Sequence, residues 1–258
     1  MIFETHAHYE DQKFDQDRDE LLSSMYEHGI SRIVNVGSSI ETTRKSIQLA
    51  EQYDFIYAAV GVHPSDISDL NDDSLEWLGE QARHPKVSAI GEIGLDYYWD
   101  KDEKVQEGQR YWFKRQLQLA KDAGLPVIIH SRDAAADTLS IMKGASAEQI
   151  PGVIHCFSYS AEIAQEYIRM GYYIGVGGVV TFKNAKKLKE VVAKIPLGQI
   201  LLETDCPYMA PEPYRGKRNS SLYLPYVVAE IAKIKGITEQ EVIDVTEKNA
   251  VKLYSKVC

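Results

Sequence analysis

VSAIGEIG at residues 87–94 is followed by a helical segment at 103–123 and by PVIIH at 126–130, and this stretch decides the fold. The two outer segments are short apolar runs rich in β-branched residues, which is typical of buried strands. The segment between them carries apolar residues at helical spacing and ends before Gly124 and Pro126, which stop a helix. The pattern therefore predicts two parallel strands joined by a right-handed helical crossover.

The same alternation runs through the whole chain. From the N-terminus, the eight apolar runs are IFETH, RIVNVG, FIYAAVG, VSAIGEIG, PVIIH, GVIHCF, YYIGVGG and QILLETD. Eight strand and helix units of about 30 residues each fill the chain, which favours a (β/α)8 TIM barrel. A doubly wound open sheet is the alternative that the same alternation permits.

A Pro-rich, basic loop, PYMAPEPYRGKRNSS, follows the eighth run. Two helical segments come after it, near 221–235 and near 239–255. Because no linker, low-complexity tract or sequence repeat divides the chain, we expect residues 1–258 to form a single domain.

Composition and charge limit the classes of protein to consider. The chain is 44% hydrophobic and 26% charged, which is ordinary for a globular protein. Its net charge of -9 argues against a protein that coats nucleic acid through a general basic field. Nucleic acid remains possible as a substrate, because bound divalent cations and a few local basic residues can engage a phosphodiester.

The N-terminus has no apolar stretch of the signal-peptide kind, and no run approaches the roughly 18 apolar residues of a membrane span. We therefore predict a cytoplasmic protein without a membrane partner, and nothing in the sequence implies an obligate protein partner. Cys156, Cys206 and Cys258 are far apart and form no C-x-x-C pair, so we expect reduced thiols rather than disulfides or a cysteine zinc site.

His6 and His8 end the first predicted strand and carry the strongest local signal for chemistry. Residues two apart on a strand point the same way, so two imidazoles can approach one ion. Polar residues also end other strands: Glu92, His130, His155 and Asp205. Because parallel strand ends converge on one face of a barrel, we predict that these six residues form a metal site there.

Four imidazoles and two carboxylates exceed what one tetrahedral ion needs, so we predict two divalent cations. We assign His6, His8 and Asp205 to one ion and the His130 and His155 imidazoles to the other, with Glu92 as the bridge. Nitrogen-rich ligation favours Zn, Mn, Fe, Co or Ni over Mg, although cellular availability can reverse that order.

Seven segments make the sequence resemble the TatD family of metal-dependent deoxyribonucleases, within the wider amidohydrolase-like barrels. They are THAHYE at 5–10, GVHP at 61–64, GEIGLDYY at 91–98, IIHSRDA at 128–134, IHCFS at 154–158, LLETDCPY at 201–208 and RGKRN at 215–219. The resemblance implies a hydrolase with divalent cations at the six named positions. For characterised relatives it implies a nuclease acting on DNA, often a 3'-to-5' exonuclease.

The sequence departs from the family pattern at two places. Glu4 stands where the family usually has Asp in its Asp-x-His-x-His motif; it has the same strand parity as His6, so we expect it to point inward below the metals. Ser220 and Ser221 stand where relatives often carry an acid and then proline, so we expect a less rigid loop.

Three residues are candidates for catalytic roles. Asp205 is placed to shuttle a proton from the attacking water, or it acts as a ligand alone. Glu203, two residues earlier, is expected to orient Asp205 or handle a proton, unless it is a buried acid with a basic or backbone partner. His63 follows the third strand and is expected either to donate a hydrogen bond to a phosphate oxygen or to hold the loop.

Four basic residues are candidates for substrate binding. Arg132 can hold a phosphate through its planar guanidinium, or pair with Asp133. Arg215, Lys217 and Arg218 follow the eighth strand, where barrels often bind phosphate, although a charge run is usually a solvated face.

Aromatic residues follow Glu92 in the sequence. Tyr97, Tyr98 and Trp99 are placed either to stack on bases or to pack the loop after the fourth strand. By strand alternation Cys206 faces away from the metals, so we assign it no catalytic role.

The sequence therefore predicts a deoxyribonuclease that acts on single-stranded DNA or free ends. One alternative is a small-molecule ester, amide or phosphoester hydrolase with the same dinuclear site, because fold analogy does not choose a substrate. Another is a partner-binding protein with a closed, structural metal site, which would not need ligands from five strand ends.

Overall fold

The computed structural model describes residues 1–256. Eight strands form one parallel sheet in chain order from β1 to β8. Their bounds are β1 Ile2–Ala7, β2 Ile30–Val36, β3 Ile56–Val60, β4 Val87–Asp96, β5 Val127–Arg132, β6 Gly152–Ile154, β7 Tyr173–Val176 and β8 Ile200–Leu202.

The first strand meets the chain that follows the last one. Ala7 and Cys206 form a parallel bridge, and the His8 backbone N–H donates to the Cys206 carbonyl at 2.9 Å. The Asp205 N–H donates to the His6 carbonyl at 3.0 Å. These bonds close the sheet, so the predicted (β/α)8 barrel is confirmed and the open-sheet alternative is wrong.

Helices separate consecutive strands. They are α1 Arg18–Ser23, α2 Ile40–Gln52, α3 Asp72–Gln81, α4 Glu103–Ala123, α5 Ala135–Gly144, α6 Ala161–Arg169, α7 Lys186–Lys194, α8 Leu224–Lys235 and α9 Glu239–Leu253. The helix predicted at 103–123 is confirmed in α4, which ends at Gly124 in the left-handed conformation that glycine favours. The helix predicted near 221–235 begins as the 3-10 turn Ser221–Tyr223 and continues as α8.

Two apolar layers hold the barrel. The outer layer lies between the sheet and the helices, where Ile33 and Ile90 share a cluster with Phe113 and Leu117 of α4. The inner layer fills the barrel, and the ring of Tyr254, just after α9, lies 5.9 Å from that of Phe3 at the amino ends of the strands. Since side chains fill that end, the described part of the chain leaves the interior open at the carboxyl ends of the strands.

Within residues 1–256, no helix is both long enough and apolar enough to cross a membrane. The cytoplasmic location stays a prediction. Cys156 and Cys206 are free thiols, as predicted, and Cys206 is buried in the outer layer. Cys258 lies outside the described residues.

Candidate metal centre

A cavity of about 900 Å³ opens at the carboxyl ends of the strands. It is lined by five of the six predicted ligands, namely His8, Glu92, His130, His155 and Asp205. His6 lies beneath them, completely buried. The structure therefore brings together all six residues of the predicted metal site, here called the donor cluster.

Two β-bulges aim the donor cluster into the barrel. Between Glu4 and Ala7, β1 advances three residues while β2 advances two, from Ile33 to Asn35. The extra residue reverses the alternation, so Ala7 and Ile33 face the outer layer while His6 faces inward. Such bulges re-aim side chains at the rims of barrels.

The second bulge lies beside Glu92. Between Ile90 and Ile93, β4 advances three residues while β5 advances two, from Val127 to Ile129. Both isoleucines face the outer layer, and Glu92 between them faces the cavity. An unbroken alternation from Ile90 would have turned Glu92 outward.

His6, His8 and Asp205 form the first group of the donor cluster. The Nε2 atoms of His6 and His8 lie 3.1 Å apart. Asp205 Oδ1 lies 3.4 Å from the His8 Nε2 atom and 3.8 Å from that of His6. The Asp205 backbone is left-handed, with a φ of 58°, which is unfavourable for a non-glycine residue and recurs at functional sites. One ion could contact all three side chains.

His130 and His155, the residues assigned to the other ion, are called the second group, and Glu92 lies beside both groups. His155 also adjoins the first group, since its Nε2 lies 3.6 Å from Asp205 Oδ1 and its ring stacks on that of His6 at 3.5 Å. Glu92 Oε1 lies 2.8 Å from His130 Nδ1 and 3.9 Å from His155 Nε2. The other oxygen, Oε2, lies 3.4 Å from His6 Nε2. The two oxygens of one carboxylate therefore face different groups, which is the arrangement of a bridging ligand.

Hydrogen bonds set which nitrogen each imidazole turns to the centre. His8 Nδ1 donates to the Val36 carbonyl at 2.7 Å, which leaves Nε2 as the donor atom for an ion. His130 Nε2 donates to Asp96 Oδ2 at 3.0 Å, which leaves Nδ1. Such partners commonly fix the tautomer of metal-binding histidines.

Charge balance in the donor cluster depends on imidazole protons when no cation is present. Burial raises the pKa of Glu92, but the neighbouring imidazoles of His155, His130 and His6 outweigh it and bring that pKa well below its usual range. Burial likewise opposes ionisation of Asp205, whose pKa is nevertheless lowered by His155 and His8. Burial disfavours protonated His130, yet its contacts with Asp96 and Glu92 raise its pKa to about 8.

These observations fit divalent cations at the donor cluster. Lone pairs on His6 and His8 converge at 3.1 Å, and buried carboxylates face them. Imidazole nitrogens with carboxylate oxygens are ligands that Zn, Mn, Fe, Co and Ni accept.

His63 lies at the edge of the donor cluster. Its Nδ1 accepts a hydrogen bond from the Ser65 N–H at 3.1 Å, so its proton is on Nε2, 3.9 Å from Glu92 Oε1. Burial and the nearby His130 imidazole lower the pKa of His63 to about 4, so the ring is neutral near pH 7. This geometry suits a neutral hydrogen-bond donor directed into the cavity.

Glu203 contacts His155 rather than Asp205. Its Oε1 accepts from the Cys156 N–H at 2.6 Å, and its Oε2 lies 3.1 Å from His155 Nδ1, within ion-pair distance although the angle is not that of a hydrogen bond. Gly175 leaves room for this carboxylate, because a Cβ there would overlap it. Glu203 is therefore placed to orient a predicted ligand.

Arg132 is the one predicted substrate-binding residue among those that line the cavity. Its guanidinium lies 4.0 Å from the ring centroid of Tyr98 and 5.5 Å from that of Trp99. Within residues 1–256 it forms no ion pair, with Asp133 or any other acid. Tyr97 instead packs away from the cavity, where its hydroxyl donates to Asp137.

The basic loop after β8 does not line the cavity within the described part of the chain. Arg215 stacks over Phe182 at 4.2 Å. Arg218 forms two hydrogen bonds with the Asp17 carboxylate. The Lys217 ammonium lies 5.9 Å from the Tyr214 ring.

Sequence reasoning missed several residues of the site. Asp96 accepts a hydrogen bond from His130. The sequence could have indicated this residue, because it lies four residues after Glu92 on the same strand. Glu10 Oε1 lies 3.5 Å from His8 Nδ1, and Glu10 is two residues after His8 in the sequence. Lys186 and Lys187 line the cavity at the start of α7, and nothing in their local sequence indicated this.

The prediction that Glu4 points inward below the metals is wrong. Glu4 pairs with Ile33 before the β1 bulge, so it faces outward although His6 two residues later faces inward. Its carboxylate is buried and accepts a hydrogen bond from Ser221 Oγ at 3.0 Å. Glu4 and Ser221, which both depart from the family pattern, therefore contact each other.

Comparisons with known proteins give a consistent result. The family model described as TatD related DNase matches residues 3–255. An uncharacterized metal-dependent hydrolase of Bacillus subtilis, YabD, is 46% identical over 98% of this chain and 99% of its own. The protein named 3'-5' ssDNA/RNA exonuclease TatD of Cronobacter sakazakii is 34% identical over 95% of this chain and 94% of its own.

A solved structure supports the same family, since it is that of a TatD homologue. The crystal structure of YjjV, a TatD homologue from Escherichia coli K12, superposes with a TM-score of 0.92. It is 33% identical in sequence, and the match covers 98% of each chain.

Proposed function

Because this chain belongs to the family of TatD-related DNases and is a metal-dependent hydrolase, we propose that it cleaves phosphodiester bonds of DNA from a free 3' end. The observation that carries the proposal is the position of Glu92, whose two oxygens face separate groups of imidazoles at the floor of an open cavity. The Cronobacter relative, named as a 3'-5' exonuclease on single-stranded DNA and RNA, supports this choice of substrate.

The donor cluster is proposed to hold two divalent cations. The first group, His6, His8 and Asp205, would hold one cation, the second group would hold the other, and Glu92 would bridge them. Divalent cations in such a site acidify a water molecule and stabilise the charge that develops on a phosphoryl oxygen.

Side chains of this chain supply the remaining steps. Asp205 Oδ1 is placed to accept the proton of the attacking water, because 22% of its side chain is exposed while the Glu92 side chain is 6% exposed. His63 Nε2–H is placed to donate to a phosphate oxygen. Asp96 and Glu203 would keep the second-group imidazoles in their binding orientation.

Arg132 is proposed to hold the substrate backbone. Its guanidinium has no carboxylate partner among residues 1–256, so its donors are free for a phosphate. Trp99 is 67% exposed beside it and also lines the cavity, so an unpaired base could stack there. This arrangement favours single-stranded ends over paired DNA.

The second candidate is a small-molecule ester, amide or phosphoester hydrolase with the same centre. It is favoured by the position of Arg215, Lys217 and Arg218, which do not line the cavity as a long polyanion would require.

The test incubates metal-free protein with single-stranded DNA labelled at either end, adding Mg, Mn or Zn. The double variant His6→Ala, Glu92→Ala is the inactive control. The variant His28→Ala, His84→Ala, which removes two imidazoles outside the donor cluster, is its matched control. Metal-restored shortening from the 3' end, lost only in the first variant, supports the proposal. Absence of cleavage with bound metal, and turnover of small esters, supports the second candidate instead.

A further inference from the structure

We propose that Glu4 and Ser221 form a matched pair that positions His6 and Asp205 for a shared ion. The inference deepens the proposed function and rests on it, because it requires an ion at the first group. Glu4 is not one of the residues proposed to contact that ion, so it is a positioning residue rather than a catalytic one.

Glu4 completes the hydrogen bonding of the β1 bulge. A bulge interrupts the ladder and leaves backbone groups without strand partners. Glu4 Oε1 accepts from the His6 N–H at 3.0 Å and from the Thr204 N–H at 2.9 Å. One carboxylate oxygen therefore joins the bulge in β1 to the residue that precedes Asp205.

Ser221 fixes the other end of the carboxylate. Its hydroxyl donates to Glu4 Oε2 at 3.0 Å and accepts from the Tyr9 hydroxyl at 2.8 Å. The Tyr9 oxygen in turn accepts from the Ser221 N–H at 2.9 Å. Glu4 Oε2 is thus the partner of the Ser221 hydroxyl, and Glu4, Tyr9 and Ser221 are all buried, so water does not replace a lost partner.

The length of Glu4 is matched to this span. Removing one methylene withdraws the carboxylate by about 1.5 Å. A contact now at about 3.0 Å then becomes longer than a hydrogen bond allows, so an Asp at this position serves either the backbone N–H groups or Ser221.

A shift of the bulge reaches the first group directly. The N–H that Glu4 Oε1 accepts belongs to His6 itself, and the His6 carbonyl accepts from the Asp205 N–H at 3.0 Å. His130 of the second group is fixed separately, by Asp96. His155 of the second group is less independent, because its ring stacks on that of His6 at 3.5 Å. We therefore expect a change at Glu4 to weaken the first-group ion site more than the other.

The experiment titrates Co²⁺ into metal-free protein by calorimetry and records the visible absorption of the bound ion. The variants are Glu4→Asp and the equal-length Glu4→Gln, together with Ser221→Ala. Thr5→Val is the matched control, because Thr5 Oγ1 donates to the Leu202 carbonyl at 2.9 Å across the same two strands without touching Glu4. Thermal melts establish that each variant folds.

We expect Glu4→Asp to weaken one of two Co²⁺ sites by about tenfold or more and to change the absorption spectrum, as losses of outer-shell partners do. Glu4→Gln should stay within about threefold of the wild type, because the Gln carbonyl accepts the two N–H groups and its amide still reaches Ser221. Ser221→Ala should lower the Co²⁺ affinity of the same site. The double variant with Glu4→Asp should show no further loss of affinity.

Three results would overturn the pairing: wild-type affinity at both sites in Glu4→Asp, an equal loss at both sites, or the same loss in Thr5→Val. A wild-type protein that binds one Co²⁺ or none would overturn the proposed two-ion function itself. The two failures are therefore distinguishable without any measurement of activity.

Discussion

Replacement of Asp96 by Asn tests whether an imidazole must present one particular nitrogen to the second ion. Asp96 Oδ1 accepts from the N–H groups of Tyr98 and Trp99 at 2.9 and 3.1 Å, contacts that an Asn carbonyl keeps. The loop should therefore hold its shape. Only the contact of Oδ2 with His130 Nε2, at 3.0 Å, changes, because an amide N–H faces the ring N–H in place of a carboxylate.

The ring relieves that clash by moving its proton to Nδ1, the atom that lies 2.8 Å from Glu92 and faces the ion. Loss of an outer-shell partner weakens metal binding about 10- to 100-fold. Because the tautomer is also reversed, we expect about 30-fold weaker binding at one site, or about 2 kcal/mol.

Calorimetric titration of Co²⁺ into metal-free Asp96→Asn measures this loss. Asp137→Asn is the matched control, since Asp137 accepts a hydrogen bond from the Tyr97 hydroxyl at 2.7 Å and contacts no member of the donor cluster. Two Co²⁺ sites of wild-type affinity in Asp96→Asn would refute the reasoning.

Further predictions concern charge and protonation. Glu203→Gln should weaken one Co²⁺ site about tenfold, because the charge facing His155 Nδ1 is removed; an unchanged isotherm contradicts this. In the metal-free protein, His130 carries an extra proton below its pKa of about 8, and the ion must displace it. Burial also opposes protonation of His8 and His155, yet contacts with Asp205 and with Glu203 raise the pKa of each well above its ordinary value. The Co²⁺ affinity should therefore rise by about tenfold or more per pH unit from pH 6 to 8 and continue to rise above pH 8, and a flat calorimetric profile argues against it. Arg132→Ala should raise KM for a short single-stranded oligonucleotide about tenfold with little change in kcat, whereas Arg218→Ala, whose guanidinium is paired with an acid, should change KM less than about twofold; equal effects in steady-state kinetics would contradict this.

The barrel and the donor cluster were predictable because both depend on strand ends. Eight apolar runs gave the strand count, and polar residues such as Glu92 and His130 at their ends gave the site. The outward direction of Glu4 was not predicted, because unbroken alternation along β1 would have turned it inward like His6. A bulge depends on pairing with a neighbouring strand, and one sequence read alone carries no register.

The substrate-facing surface was less predictable for a related reason. Arg215 and Arg218 follow β8 in sequence, yet side-chain partners such as Phe182 and Asp17 hold them elsewhere. Lys187 lines the cavity because of where α7 begins. Loop residues are placed by tertiary contacts that local pattern does not encode.

The barrel closes where β1 meets the chain after β8, and this determines when the donor cluster is completed during synthesis. His6 lies in β1 and Asp205 follows β8, so the first group does not exist in a nascent chain that lacks the last strand. Such a chain has both second-group histidines but an incomplete centre. Hydrolytic competence therefore arrives late in synthesis, together with the contacts that join β1 to the chain after β8 across most of the sequence. A chain without β8 therefore lacks a complete centre, whatever its substrate is.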